Sequence, residues 1–428
     1  MSMRANRWGL VIWAVLLAPL LAWAAGPAGT TAKPPTTLVV VNQGDESLGA
    51  YRVNATTGAL SASTPPSQPT DRNPYGVVAD RSGRWLWVTH GDASSVVAYA
   101  VLPAGGVVMR TGAAPVGTGP YAVGAAVDPR GRFLYVATMV ADAIALYAIG
   151  TGAALAEAPG SPYEAGKRPS GIAIDAAGRH LYATNLASGN VSGYAIDRDS
   201  GALTALPGSP FKAGTNPRAI AIAPPGGHAY VANAVSNDVS AYAIEPGTGQ
   251  LIALAQGSVA TGRNPRAIVV DSSGRFVYVA CLDSEEIWAY RIEPGSGWLR
   301  PVKGQPYAAG KGPRGLAVDA RGRFLYVANN GSASISGYRI DRLSGALRPL
   351  PGSPFAAGKG PFAIAVFCGA ARRRTAPSHA RGRRPQQRSA ASARSASAIR
   401  SSTASRPRQK RTRLPRYGVA RWRMVLGS

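Results

Sequence analysis

The sequence predicts an all-β protein, a seven-bladed β-propeller in which each blade has four antiparallel strands. The first observation is a ladder of tyrosines spaced 47 or 48 residues apart: Tyr51, Tyr99, Tyr147, Tyr194, Tyr242, Tyr290 and Tyr338. The second is a ladder of prolines that each precede a short apolar segment: Pro74, Pro120, Pro169, Pro217, Pro265, Pro313 and Pro361. Repeats of this length are typical of propellers and solenoids.

Within one repeat, four short runs lie at 324–329, 335–340, 345–350 and 362–366. They are rich in β-branched and aromatic residues and are separated by Gly, Pro, Ser, Asn or Asp, which predicts strands joined by turns. Helical repeats would need apolar residues three and four positions apart, and this spacing is absent. Four strands in about 48 residues therefore favour a propeller blade over a solenoid unit.

A turn of the form Asp-x-x-Gly-Arg follows the proline-led strand in five units, at Asp80, Asp128, Asp175, Asp271 and Asp319. A short carboxylate can accept hydrogen bonds from nearby backbone amides, and Gly supplies a positive φ. Because the motif recurs in identical form, we interpret these aspartates as turn formers and not as catalytic groups.

The strand after this turn carries a large residue at one repeated position: Val39, Trp87, Tyr135, Tyr182, Tyr230, Tyr278 and Tyr326. We expect these side chains to fill the core between blades. In the proline-led strand, small and larger residues alternate, as in 219–222, which suits the crowded strand nearest the axis. The last such strand, 362–366, lacks a partner of its own, and the chain enters the repeat at a second strand, 37–42. Pairing the two would close the ring and leave no inner edge exposed, which predicts one propeller domain over 37–366.

The N-terminus has the pattern of a signal peptide over residues 1–24. Arg4 and Arg7 precede an apolar stretch of thirteen residues from Gly9 to Leu21, and Ala22-Trp23-Ala24 offers small residues for cleavage. This stretch is too short for a membrane anchor, which needs about 20 residues. We therefore expect export to the periplasm or the medium, with 25–36 as a flexible lead-in.

The formal net charge of +26 is concentrated at the C-terminal end, because residues 367–428 hold 17 Arg and Lys and no Asp or Glu. A segment rich in Arg, Ala and Ser cannot bury enough apolar surface to fold, so we predict a disordered tail. Three interpretations of this tail compete: a natural arm that binds anionic surfaces, the product of a shifted reading frame, or a solvated extension. We favour the shifted frame, because the composition changes abruptly. Because the excess positive charge lies in this tail and not on the propeller, the charge distribution argues against nucleic-acid binding.

Cys281 and Cys368 are the two cysteines, and neither has the spacing of a metal site. We expect no metal, no cofactor and a monomer.

The residue after each repeated proline should lie at one mouth of the central channel: Tyr75, Tyr121, Ser170, Arg218, Arg266, Arg314 and Phe362. Three adjacent arginines facing aromatic residues predict a site for an anionic small molecule or a protein partner, since guanidinium groups hold carboxylates and phosphates in a forked geometry. The alternative is that the arginines pair with acidic residues of neighbouring loops: Asp238, Asp283, Glu285 and Glu286. His90 takes the place of the usual asparagine on a loop at this mouth, and with Glu285 it is a candidate acid or base.

The repeats resemble the lactonase-type seven-bladed propellers, which include 6-phosphogluconolactonase and the exported YVTN-repeat proteins. The resemblance rests on units such as Gly-Pro-Arg-Gly-Leu-Ala-Val-Asp, on Gly-Arg-Phe-Leu-Tyr-Val-Ala-Asn, and on Gly-Ser-Pro-Phe at 352–355. It implies a lactonase, with a Pro-Arg-His motif and a Glu sixteen residues after the Arg. Here the histidine is replaced by Ala219, Ala267 and Gly315, and the glutamate by Ala234, Leu282 and Asn330.

Two functional hypotheses follow. The first is an exported propeller that binds an anion or a protein at its arginine-lined mouth. The second is a lactone hydrolase that acts outside the cytoplasm, with Arg218, Arg266 and Arg314 holding the substrate oxygens and His90 or Glu285 as the base.

Overall fold

The seven-bladed β-propeller is confirmed by the computed structural model, which describes residues 36–102 and 108–368. Seven antiparallel sheets follow one another along the chain. Each innermost strand packs beside that of the next blade, and the last one also packs beside the first, which closes the ring.

Strands at equivalent positions have similar bounds in every blade. The innermost strands are Pro74–Ala79, Ala122–Val127, Pro169–Ile174, Pro217–Ala223, Pro265–Val270, Pro313–Val318 and Pro361–Cys368. The second strands are Trp85–His90, Phe133–Thr138, His180–Asn185, His228–Asn233, Phe276–Cys281, Phe324–Asn329 and Thr36–Asn42. The third strands are Ser95–Val101, Ala143–Ile149, Asn190–Ile196, Asp238–Ile244, Glu286–Ile292, Ser334–Ile340 and Ser47–Val53.

The outer edge of each blade is built from shorter pieces. Three-residue outer strands occur at Val108–Arg110, Leu155–Glu157, Leu203–Ala205, Leu251–Ala253, Leu299–Pro301 and Leu347–Pro349. Two-residue strands pair with the same third strands at Val116–Gly117, Tyr163–Glu164, Phe211–Lys212, Val259–Ala260, Tyr307–Ala308 and Phe355–Ala356. In the blade that contains both ends of the ring, one long strand, Leu60–Pro69, takes the outer position. Two short 3-10 turns are found at Thr151–Ala153 and Asn330–Ser332.

The ring closes by the predicted pairing of the last innermost strand with the first strand of the propeller. Thr36–Asn42 pairs with Pro361–Cys368 in antiparallel register, from Thr36 opposite Cys368 to Asn42 opposite Pro361. The closing strand runs two residues beyond the predicted end at Val366, because Phe367 and Cys368 pair with Thr37 and Thr36. The buried Phe367 packs into the core of this blade pair.

The core lies between neighbouring blades, where the repeated aromatic residues of the second strands are fully buried. Their polar atoms reach a turn of an adjoining blade: the Tyr182 hydroxyl donates to the Gly249 carbonyl at 2.6 Å, and that of Tyr230 donates to Gly297 at 2.7 Å. Apolar burial and one satisfied hydrogen bond per ring thus join successive blades.

The repeated aspartates form turns, as predicted. In the fifth unit, Asp271 Oδ1 accepts hydrogen bonds from the backbone amides of Arg275 and Phe276, both at 2.8 Å. Equivalent bonds are made by Asp128 and Asp319.

In the second repeat, the proline ladder is displaced by two residues from the structural repeat. The innermost strand begins at Ala122, and Ala122 pairs with Thr138 as Pro74 pairs with His90. Tyr121 has a positive φ of 63°, like Asn73 at 52°, so it occupies the turn before the strand. The residue at the channel position of this blade is therefore Val123, not Tyr121.

The predicted signal peptide, most of the lead-in and the tail from residue 369 onward lie outside the described residues. Within the described ranges, no helix has the length and hydropathy needed to cross a membrane.

Candidate functional site

A cavity of about 310 Å³ lies in the central channel, and the innermost strands of all seven blades line it. Arg218, Arg266 and Arg314 come from three successive blades, and Tyr75 and Phe362 come from two others. The three arginines that the sequence analysis placed at one mouth therefore line the same cavity.

Local backbone geometry gives the three arginines equivalent positions. Each follows the proline that starts its innermost strand, and the residue before that proline has a positive φ: 60° at Asn216, 57° at Asn264 and 61° at Gly312. Asn and Gly tolerate this conformation best among the residue types. A repeated sharp turn thus starts each of the three strands at the same height in the channel.

Glycines on the innermost strands, close to the three arginines, let neighbouring strands approach closely. A Cβ on Gly171 would lie 2.8 Å from the Arg218 carbonyl oxygen, and a Cβ on Gly315 would lie 2.7 Å from that of Phe362. Both separations are shorter than real Cβ contacts. The absence of these side chains therefore sets how near the mouth residues of adjacent blades can come.

The three guanidinium groups have no ion-pair partner among the described carboxylates, because none lies within 4.0 Å of them. The acidic residues proposed as partners bond elsewhere: Asp283 accepts from Asn264 Nδ2 at 3.0 Å, and Asp238 accepts from Asn233 Nδ2 at 2.7 Å. Nε of Arg266 and Nε of Arg314 are buried without a hydrogen-bond partner.

Arg218, Arg266 and Arg314 together form an arginine ring, and its electrostatic environment is strongly positive. Burial, followed by the nearby charges of Arg218 and Arg314, lowers the pKa of Arg266 to about 10. Burial likewise lowers the pKa of Arg218 and of Arg314. Like charges held together out of water cost free energy that a bound anion would recover.

Two aromatic residues, Phe362 and Tyr75, lie on the two blades that follow the blade of Arg314 around the channel. The rings of Tyr75 and Phe362 have centroids 4.4 Å apart, and the Arg314 guanidinium lies over the Phe362 ring at 4.9 Å. Arg218 Nε donates a hydrogen bond to Asn216 Oδ1 at 3.1 Å. These contacts hold two of the three arginines in place while leaving their charges unneutralised.

Tyr121 does not line the cavity. Its ring centroid is 6.2 Å from that of Tyr75, and its hydroxyl accepts a hydrogen bond from Asn73 Nδ2 at 3.3 Å. It supports the aromatic side of the ring from the preceding turn.

The two candidate acid–base residues lie away from the cavity lining. His90 ends the second strand Trp85–His90 and is fully buried, not on an open loop, and burial lowers its pKa to about 4. It replaces an asparagine that is buried in other blades, such as Asn233. Glu285 is exposed in the turn before Glu286–Ile292. The structure therefore does not bring either residue to the three arginines.

A second pocket of about 360 Å³ adjoins the arginine ring. It is lined by Arg218 and Arg266 together with Asp283 and the turn residues Asn216 and Asn264. The Asp283 carboxylate interacts electrostatically with Arg266 and Arg314 across more than ion-pair distance. The sequence pointed to Asp283 as a partner of the arginines, and the structure places it on the lining of this adjoining pocket.

Metal chemistry has no evident site in the described part of the chain, where no three His, Cys, Asp or Glu residues cluster as metal ligands. Cys281 is buried, its Sγ lies 3.3 Å from Thr261 Oγ1, and burial raises its pKa to about 11. It is therefore a neutral thiol in the position that asparagine takes in other blades.

Comparison with known proteins supports the resemblance seen in the repeats. The family model described as "Lactonase, 7-bladed beta-propeller" matches residues 122–210 and 204–364. Among curated proteins, none matches the chain significantly.

Several solved structures have a similar fold. A Bacteroides uniformis protein, provisionally assigned as a 6-phosphogluconolactonase, superposes with a TM-score of 0.68 at 16% identity, covering 78% of this chain and 100% of its own. The periplasmic gluconolactonase of Pseudomonas aeruginosa gives a TM-score of 0.67 at 20% identity, covering 78% and 99%. At these identities the likeness extends to the fold alone.

Proposed function

The chain belongs to the lactonase family of seven-bladed β-propellers, and from that premise we propose that it is an exported protein that binds an organic anion at the arginine ring of its channel. The observation that carries the proposal is the absence of a described counter-charge at three adjacent, partly buried guanidinium groups. Ion pairs with the neighbouring loops would have left the ring neutral.

A carboxylate or phosphate at this position would meet several unsatisfied donors. Nε of Arg266 and Nε of Arg314 are buried without partners, and an anion between the two side chains would accept from both groups. A charged hydrogen bond contributes about 1.5–3 kcal/mol. Release of the repulsion among the arginines adds to this gain.

Replacing Arg266 with Ala should weaken anion binding by about tenfold or more, since Arg266 is the middle member of the three and a ligand can share it with either neighbour. Calorimetric titration with a panel of carboxylates, phosphates and lactones measures the change. Arg348→Ala is the matched control, because Arg348 is exposed on the outer strand Leu347–Pro349. Equal affinities in the two variants, or no binding by the unmodified protein, would contradict the proposal.

A second candidate function is lactone hydrolysis, which is favoured by the position of Asp283 beside Arg218 and Arg266 in the adjoining pocket. The arginines would stabilise the oxyanion formed when water attacks the lactone carbonyl, and the Asp283 carboxylate would accept the proton of that water. Collapse of this intermediate would break the ring C–O bond, and Asp283 would return the proton to the leaving alkoxide oxygen to give the hydroxy acid.

On this hypothesis the purified protein opens lactones at neutral pH, and Asp283→Asn reduces kcat by about 100-fold or more while the protein stays folded. Glu285→Gln, two residues along the same turn, is the control and should leave the rate unchanged. A pH-stat assay reports the acid released. Hydrolysis that survives Asp283→Asn would exclude this carboxylate as the base, and a lack of any hydrolysis would leave anion binding as the function.

A further inference from the structure

We propose that the anion bound in the channel has a hydrocarbon body, aliphatic or aromatic, and is not a polyhydroxylated sugar acid. This inference rests on the proposed function, since it concerns the same cavity. It adds the chemical class of the ligand, which the arginines by themselves leave open.

The surface next to the arginine ring is apolar. Successive blades contribute aliphatic side chains to the cavity lining: Val77, Ile172, Ile220, Leu316 and Ile364. Most of the remaining lining residues are Gly, Ala or Val. An anionic group held by Arg266 and Arg314 therefore leaves the rest of its molecule against aliphatic groups and the rings of Tyr75 and Phe362.

Few partners are available for ligand hydroxyl groups. Apart from the three arginines, the polar side chains among the described lining residues are those of Tyr75 and Ser170. Each innermost strand pairs with a second strand along one edge only, as in Ile220 opposite Val231, and side chains take some of the backbone groups on its other edge. Thr89 Oγ1, for example, donates to the Val123 carbonyl oxygen and accepts from the Gly76 amide. Gluconate carries five hydroxyl groups, so several would lose water without gaining a hydrogen bond, which is unfavourable.

The chemistry of the site therefore separates two anions of equal charge and equal carbon number. Hexanoate places methylene groups against the aliphatic lining, where burial is favourable, whereas gluconate places hydroxyls there. The same contrast holds for a dianion pair, hexyl phosphate against glucose 6-phosphate. A cavity of about 310 Å³ is at the lower end of the range for small-molecule pockets, which suits ligands of this size.

The test is calorimetric titration of the full chain with each pair. Hexanoate is expected to bind at least tenfold more tightly than gluconate, and hexyl phosphate at least tenfold more tightly than glucose 6-phosphate. The heat capacity change should be more negative for the alkyl member of each pair, because only that member buries apolar surface.

A variant connects the preference to the lining. Leu316 is a partly exposed lining residue, and Leu316→Asn makes it polar with little change in volume. This variant should bind hexanoate about tenfold more weakly, while its gluconate binding is unchanged or improved. Ile252→Asn is the control, since Ile252 is exposed on an outer strand. Thermal unfolding checks both proteins, and Ile172→Thr, a milder change, should shift the preference in the same direction if Leu316→Asn does not fold.

The outcomes distinguish this inference from the proposed function. Equal binding within each pair, or tighter binding of the sugar member, would overturn the inference and leave anion binding intact. No binding of any of the four anions by the folded protein would overturn both. An unchanged preference in the two lining variants would show that the aliphatic surface does not select the ligand.

Discussion

A chain that ends after Gly360 is expected to lose its cooperative folding transition, or to unfold tens of degrees below the full chain. This truncation removes Pro361–Cys368, the only strand among the described residues that pairs with the inner edge of Thr36–Asn42. It also removes the buried Ile364 and Phe367.

The size of the effect follows from what the closing strand contributes. Seven residue pairs join it to its partner. With net hydrogen-bond contributions of about 0.5–1.5 kcal/mol and about 1.5–3 kcal/mol for each large buried side chain, the loss is on the order of 10 kcal/mol. Whole domains are stable by about 5–15 kcal/mol, so the loss is comparable to the entire stability.

The control is a chain that ends after Cys368, which keeps the closing strand. The composition of residues 369–428 predicts little buried area, so this chain should melt within a few degrees of the full chain by circular dichroism. Similar melting of the two truncated chains would show that ring closure does not stabilise this propeller. A large fall after removal of 369–428 alone would show that the C-terminal segment contributes to stability.

Replacing Gly171 with Ala is expected to destabilise the protein by about 1–3 kcal/mol and to weaken anion binding at the ring. The added Cβ would meet the Arg218 carbonyl oxygen at 2.8 Å and the Ala219 Cα at 2.9 Å, and both are backbone atoms that cannot rotate away. The neighbouring strand must therefore move, and it carries the Arg218 guanidinium with it.

Gly112→Ala is the matched control, because a Cβ at Gly112 has no neighbour within 4 Å. Urea unfolding compares the free energies of unfolding, and calorimetric titration compares the anion affinities of the two variants. If Gly171→Ala is as stable as Gly112→Ala, the close approach of the innermost strands is not required. If it is less stable but binds anions normally, the position of Arg218 does not depend on this contact.

Much of the fold could be predicted from the sequence because each blade repeats the same solution to the same packing problem. Tyr230 and Tyr278 recur because most gaps between blades are filled by a large ring whose hydroxyl reaches a turn carbonyl. Asp271 recurs because each tight turn leaves backbone amides that need an acceptor. Such local requirements make the same residue types recur at a fixed spacing in the sequence.

The site was predictable only in part. The repeat identified Arg218, Arg266 and Arg314 as equivalent, and the structure places all three on one cavity. The proline marker was wrong for the second blade, where a two-residue displacement puts Val123 at the channel position and Tyr121 in the turn. Proline position is a property of one strand end, whereas the channel position is set by pairing with the second strand.

By itself, the sequence determined the number of blades, the identity of the core residues and the presence of three equivalent arginines, because each depends on residues close together in the repeat. The tertiary structure decided which groups share the channel. His90 is buried and Glu285 is exposed to solvent, whereas Asp283 lines the adjoining pocket. The charge state of the three arginines also depends on how far apart they lie in space, although they are 48 residues apart in the sequence. Closure of the propeller sets those distances.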